Sequence, residues 1–207
     1  MGVAAVNPAV FLDRDGVLTE LVIEPATGQY VSPNHVDQLR MVPGVVKPLR
    51  RLARAGFPLF IVSNQPAWAK GKTTRAALDA IAENVEGELR SQGVAVAKSF
   101  YCYHHPDGVL PELAVRCDCR KPGTRFLIEA SRAWGADLRH SWMVGDRASD
   151  IECGRTAGCA TVLLCSPATA YDQPPPSADY TAHSMAEAVG AILGERGWAR
   201  EEGESRW

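Results

Sequence analysis

Asp13 and Asp15 stand two residues apart in the run Ala9-Val10-Phe11-Leu12-Asp13-Arg14-Asp15-Gly16, where an apolar segment stops. A buried strand that delivers two acids to its C-terminal tip sets them over a ligand crevice. One carboxylate can attack an electrophile while its neighbour handles protons, and together they can hold a divalent cation. Gly16 lets the backbone turn sharply and approach a bound group. Taken alone, the same residues also describe a strand that ends in a solvated Asp turn.

A second acid-bearing tip repeats the pattern. Trp142-Met143-Val144-Gly145-Asp146-Arg147 is an apolar run, a glycine and an acid, with Asp150 one helical turn further on. Asp146 is placed to join Asp13 and Asp15 around a hard cation such as Mg²⁺, without which three carboxylates would repel one another. The competing reading is a helix N-cap, and for Asp150 the two stand level.

Cys102-Tyr103-His104 and Cys117-Asp118-Cys119 are separated by twelve residues. Three thiolates and an imidazole form the ligand set of a closed tetrahedral Zn²⁺ site, one that braces a loop and leaves no open position for catalysis. His105 reads as an outer neighbour or a solvent-exposed residue. Arg120-Lys121-Pro122 follows Cys119 directly, so the staple over 102–119 would fix a guanidinium and an ammonium where they suit a phosphate. As a bare dipeptide, Arg-Lys is more often a solvated patch.

These groups need a scaffold that brings distant tips together. Apolar runs alternate with helical spacing, which predicts βα units and a mostly parallel sheet. Strands are expected over 9–12, 58–62 (with Ser63-Asn64-Gln65 at its tip), a short stretch closing at Phe100 and Tyr101, 142–144, and a last core strand over 161–164. Helices are expected over 45–55, ended by Gly56; over 74–90, capped by Thr73 or Thr74; and over 124–134, 149–156 and 185–193. The segment 19–42, with Pro25, Gly28 and Pro33, reads as an irregular loop or small flap. Pro174 to Pro176 mark a surface connection, and a charged tail over 200–207 is expected to fray. Cys153, Cys159 and Cys165 read as small core or near-core residues without chemistry.

Composition bounds the function. A chain of 207 residues with 46% hydrophobic content can form one domain over 1–207 with a real core. Twenty-two basic against twenty-four acidic residues leave a net charge of −2, so no global field recruits nucleic acid or an anionic membrane. No run approaches eighteen apolar residues and no basic leader precedes an apolar stretch, so a cytoplasmic protein is expected. Clustered rather than dispersed cysteines favour metal over disulfides.

The order Asp13-Arg14-Asp15-Gly16, Ser63-Asn64, Lys121, then Gly145-Asp146 with Asp150 resembles the haloacid-dehalogenase-like phosphatases, over residues 8 to 165. With the Cys102, His104, Cys117 and Cys119 pattern and Arg120-Lys121-Pro122, it is similar to the branch that removes the 7-phosphate of D-glycero-D-manno-heptose 1,7-bisphosphate. The histidinol-phosphate phosphatases are close relatives with a shorter gap between the zinc pairs. A non-catalytic zinc-braced binding module is the competing class, and it would be expected to carry a broken acid set.

The resemblance implies a Rossmann-like, doubly wound α/β fold with a minimal cap and a zinc loop. It further implies Asp13 as nucleophile, Asp15 as general acid and base, and catalytic Mg²⁺ held by Asp13, the backbone carbonyl of Asp15, and Asp146. Ser63, Asn64 and Lys121 would meet the reacting phosphate. Gln65, Arg120 and Arg147 would join them around the substrate, with Arg120 reaching a distal phosphate or hydroxyls. The expected partner is a small phosphorylated sugar, with no nucleic acid or membrane, and the open crevice of a short cap suits a monomer. Two departures concern the substrate. Pro66 and Trp68 stiffen and enlarge a loop expected to line the sugar pocket, and 21–29 is longer than its usual counterpart. Tyr30 is open to two readings, a substrate-facing aromatic or core packing.

Overall fold

The computed structural model describes residues 7–166, 168 and 177–194. Eight strands and five helices are described: β1 (Val10–Leu12), β2 (Val22–Ile23), β3 (Tyr30–Val31), α1 (Val46–Arg54), β4 (Leu59–Asn64), α2 (Arg75–Ser91), β5 (Val96–Cys102), α3 (Arg125–Trp134), β6 (Trp142–Gly145), α4 (Ala148–Ala157), β7 (Ala160–Leu164), β8 (Tyr180–Ala182) and α5 (Met185–Ile192). Six strands form one sheet in the order β5-β4-β1-β6-β7-β8, and every pairing in it is parallel. β2 and β3 form a separate antiparallel hairpin in the expected flap. No helix among the described residues is long and apolar enough to cross a membrane.

Alternation along the strands divides the interior into two cores. Val10, Leu12, Leu59, Ile61 and Val144 face a cluster that takes Leu49 and Leu52 of α1, Ile81 and Val85 of α2, and Val189 of α5. Phe11, Phe60, Val62 and Met143 face the opposite cluster, with Leu127 and Ala130 of α3 and Cys153 of α4. A period of two therefore sorts neighbouring residues to opposite faces, and helices cover both. Phe11, Phe60 and Phe100 stack in series across three adjacent strands, at centroid spacings of 5.2 and 6.3 Å.

Local signals set several boundaries. The Thr74 hydroxyl accepts from Ala77 N at 3.2 Å and opens α2. Gly135 and Gly158, both left-handed, end α3 and α4. Two expectations are corrected. The short strand closing at Tyr101 is the seven-residue β5, whose exposed residues at 97 and 98 hide its extent from an apolar-run reading. The strand over 161–164 is not the last, because β8 pairs with β7 at the sheet edge. Being short and only partly buried, β8 carries little periodic signal. The proline run 174–176 and the tail 200–207 lie outside the described residues.

Candidate active site and zinc loop

β1 lies between β4 and β6, where the order of the strands reverses direction, so a crevice opens beyond the C-terminal ends of these strands. It measures about 380 Å³, and its lining includes Asp13, Asp15, Ser63, Asn64, Gln65, Lys121 and Asp150. Arg120 and Arg147 lie on its rim together with hairpin residues Glu24, Gln29 and Tyr30. Tyr30 is 45% exposed, which removes the core-packing reading of that residue.

Asp13 and Asp150 meet at Lys121. Its ammonium lies 2.9 Å from Asp13 Oδ1 and 2.7 Å from Asp150 Oδ1, and it donates to the Val62 carbonyl at 2.7 Å. Burial disfavours the ammonium, but the two carboxylates reverse that and raise its pKa, so it stays charged. Asn64 clips the Lys121 backbone from both ends of its carboxamide: Nδ2 donates to the Lys121 carbonyl at 3.0 Å, and Oδ1 accepts from Lys121 N at 2.9 Å. The Asn64 side chain, expected on the phosphate, thus also holds Lys121, and these two bonds use only one of its two amide hydrogens.

Asp15 has a separate set of partners. Arg14 Nε and Nη2 donate to its two oxygens at 2.8 and 3.0 Å, the Thr19 hydroxyl donates at 2.8 Å and Gln65 Nε2 at 2.7 Å. Burial pushes this carboxyl up, yet the Arg14 charge and the hydrogen bonds from Arg14, Gln65 and Thr19 win and hold it below its ordinary range. Arg14 itself is completely buried, its guanidinium 5.6 Å from the centre of the Tyr101 ring. Sequence reasoning passed over Arg14 and Thr19. A buried arginine is rare unless paired, and an arginine between two acids on an apolar strand tip is the signal that could have shown it.

Asp146 is fully buried at the end of β6, and its ligand atoms fall with those of Asp13 and Asp150 within 4.8 Å of one another. Burial raises the Asp146 pKa, and the negative charges of Asp13 and Asp150 raise it further. Two glycines make this crowding possible. A Cβ on Gly16, whose φ is +86°, would collide with the Asp146 carboxylate, and one on Gly145 would collide with Asp150. Asp150 also accepts from Arg147 N at 3.0 Å in the first turn of α4, so it is both a helix-capping residue and a partner of Lys121. Three acids converging on one side, with a single ammonium among them, are the hard-oxygen donor set a divalent cation satisfies.

Cys102, at the end of β5, comes together with His104, Cys117 and Cys119. The sulfurs lie 3.2 to 3.6 Å apart, and His104 Nδ1 is 3.4 Å from Cys119 and 3.7 Å from Cys102. A zinc tetrahedron with 2.3 Å bonds has edges of about 3.8 Å, so little adjustment is needed. Burial, followed by the neighbouring Cys119, pushes the Cys102 thiol up, a conflict that a bound cation resolves by taking the thiolate. His105 stays outside, with Nδ1 accepting from Asp107 N at 3.0 Å.

Trp68 was expected near the sugar pocket. It instead packs edge-on against Tyr103 at 5.7 Å, with Arg75 4.4 Å above the Tyr103 ring. Since Tyr103 lies between two zinc ligands, this aromatic contact ties the loop over 66–72 to the cysteine loop. Val109 N donates to the Ala69 carbonyl at 2.7 Å and reinforces that tie. Pro66, Ala67 and Lys70 are the residues of the loop that reach the crevice. Cys153 and Cys159 are buried, and Cys165 is half-buried.

Comparison with known proteins agrees with this arrangement. A family model described as HAD-hydrolase-like matches residues 118–188. A D-glycero-beta-D-manno-heptose-1,7-bisphosphate 7-phosphatase from Salmonella typhi is 34% identical over 188 residues, 89% of this chain and 95% of the relative. Its counterpart in Escherichia coli K12 is 33% identical, covering 89% and 93%. The D,D-heptose 1,7-bisphosphate phosphatase of B. bronchiseptica, solved with magnesium and phosphate, superposes with a TM-score of 0.74 at 27% identity, over 91% of this chain and 99% of that one. A HAD-like phosphatase from Mesorhizobium loti superposes at 0.73 and 29%, covering 94% and 89%.

Proposed function

The chain belongs to the haloacid-dehalogenase-like phosphatases, among relatives named as heptose-bisphosphate 7-phosphatases, and from that premise we propose that it removes the 7-phosphate of D-glycero-D-manno-heptose 1,7-bisphosphate. The single observation that carries this reading is the joint presence of the acid crevice and the four-ligand loop that ends in Arg120-Lys121.

In the proposed reaction Asp13 attacks the phosphorus, and the bond to the sugar oxygen breaks as Asp15 delivers a proton to it. Water then attacks phosphorus in the aspartyl-phosphate and gives a proton to Asp15, the bond between phosphorus and the Asp13 oxygen breaks, and inorganic phosphate leaves with both acids restored. In the resting crevice Arg14, Gln65 and Thr19 hold Asp15 ionised. The phosphate of an arriving ester adds like charge beside it and drives it toward the protonated form. Ser63 donates to a phosphoryl oxygen, and Lys121, steadied by Asn64, offsets the charge of nucleophile and phosphate. Gln65 aligns Asp15, while Arg120 and Arg147 meet the substrate from the rim.

Asp13, Asp146 and the Asp15 backbone carbonyl would hold Mg²⁺, which supplies charge neutralisation and in-line orientation of the phosphate. Cys102, His104, Cys117 and Cys119 would hold Zn²⁺ as a brace. We read 1–207 as one catalytic domain, active as a monomer because a single chain supplies the whole crevice. A reducing cytoplasm suits the thiolate site.

Phosphate release at saturating Mg²⁺ from both anomers of the heptose bisphosphate, histidinol phosphate and p-nitrophenyl phosphate tests the proposal. The heptose bisphosphate is expected to have the highest kcat/KM. Preference for histidinol phosphate would move the protein to the neighbouring branch, and turnover of none would end the phosphatase reading. Acid quenching should trap a phosphoenzyme that Asp13→Asn cannot form.

A further inference from the structure

Five cations line the crevice, and their charges are neutralised unequally. Lys121 is held in the floor between Asp13 and Asp150. Lys72, in the loop between β4 and α2, reaches across the mouth to Glu24 in the β2–β3 hairpin, with 2.8 Å between Nζ and Oε1. The other oxygen of Glu24 accepts from the Thr27 hydroxyl at 2.8 Å, which fixes the direction of the carboxylate. Only 23% of the Glu24 side chain is exposed, so water screens this charge incompletely. A second tie joins the same loop to the segment just after the hairpin, since the Thr73 hydroxyl donates to the Asn34 carbonyl at 2.8 Å.

Lys70, Arg120 and Arg147 make no ion pair among the described residues, although all three line the crevice. Lys70 and Arg120 come from neighbouring loops: the Ala69 carbonyl accepts from Val109 N at 2.7 Å, and Arg120 Nη1 donates to the His104 carbonyl at 3.5 Å, so both cations sit beside the cysteine loop. The outer crevice therefore presents Lys70 and Arg120 to a distal anion, while Lys72 faces the same space with its charge cancelled.

We propose that Glu24 is a specificity-determining residue that masks Lys72, so that the outer crevice binds one distal anionic group and does not over-bind it. The inference rests on the distal-phosphate reading of the substrate given above. A sugar bisphosphate keeps its distal phosphate after the reacting one is lost. Attraction to that group is uniform between substrate and product, and beyond what capture requires it only delays product release. A third unmasked cation would also draw in more highly charged esters.

Glu24→Gln keeps the shape and the acceptor to Lys72 but removes the charge. Lys72→Met leaves the carboxylate uncompensated in the crevice. Their effects should be opposite in sign. With fructose 1,6-bisphosphate and fructose 6-phosphate as a matched pair, Glu24→Gln is expected to lower the bisphosphate KM about 2–5-fold and Lys72→Met to raise it by a similar factor, the range of one partly exposed charge. The double variant should return to within about 2-fold of wild type, as should all three variants on the monophosphate, and the shifts should shrink as salt is raised.

A clasp that merely holds the hairpin would impair both single variants in the same direction and on both substrates, and that result would overturn the proposal. Unchanged KM values would overturn it too. Each shift is scored against wild type whatever the wild-type preference, so the outcome is separate from the distal-phosphate reading. That reading fails if wild type does not favour the bisphosphate at all.

Discussion

Two carboxylates two residues apart have opposite surroundings. Asp13 shares the Lys121 ammonium with Asp150, whereas Asp15 is turned to Arg14, Thr19 and Gln65. That division suits one acid to attack and the other to manage protons. Asp15→Asn should therefore lower kcat/KM for a sugar phosphate by about 10²–10⁴-fold, and much less for p-nitrophenyl phosphate, whose leaving group needs no proton. Equal losses on both esters would remove Asp15 from the acid step. Gly16→Ala would set a Cβ against the Asp146 carboxylate at a φ of +86°. Loss of activity with a retained circular dichroism spectrum is expected, and what activity remains should need a higher Mg²⁺ concentration for half-saturation. A variant with unchanged Mg²⁺ affinity would show that Asp146 can move without consequence.

The elements that carry these residues were legible to different degrees. The apolar runs ending at Asp13, Ser63 and Asp146 gave the three central strand tips, because central parallel strands are buried on both faces and need uninterrupted apolar sequence. Edge strands lack that requirement, which is why the extent of β5 and the existence of β8 escaped. The cysteine pairs were legible because their ligand types and spacing are chemical rather than conformational. The link from Asn64 to Lys121 and the burial of Arg14 depend on side-chain directions between segments far apart in sequence, which no local pattern encodes.

The zinc loop yields its own test. Because Arg120 and Lys121 follow Cys119 directly, Cys119→Ser should lower bound zinc well below one equivalent and the melting temperature with it, and should cost about 10–100-fold in activity, the range seen when metal-site supports are removed. Full activity in a zinc-depleted variant would show that the brace does not position Lys121.

At the scale of the whole molecule, the crevice draws on residues from 13 to 150, and its floor exists only when both sides of β1 are occupied. Recovery of phosphatase activity after dilution from denaturant should therefore lag helix formation measured by far-ultraviolet circular dichroism, since sheet closure is the long-range step. Activity that returned with the helices would place β1, β4 and β6 together early. The same arrangement bears on synthesis. Val10 pairs with Trp142, 132 positions later, so at ribosomal speeds the central strand waits on the order of ten seconds for its second neighbour. Until then the nascent chain carries a half-sheltered Val-Phe-Leu segment, apolar on both faces and paired on one edge only.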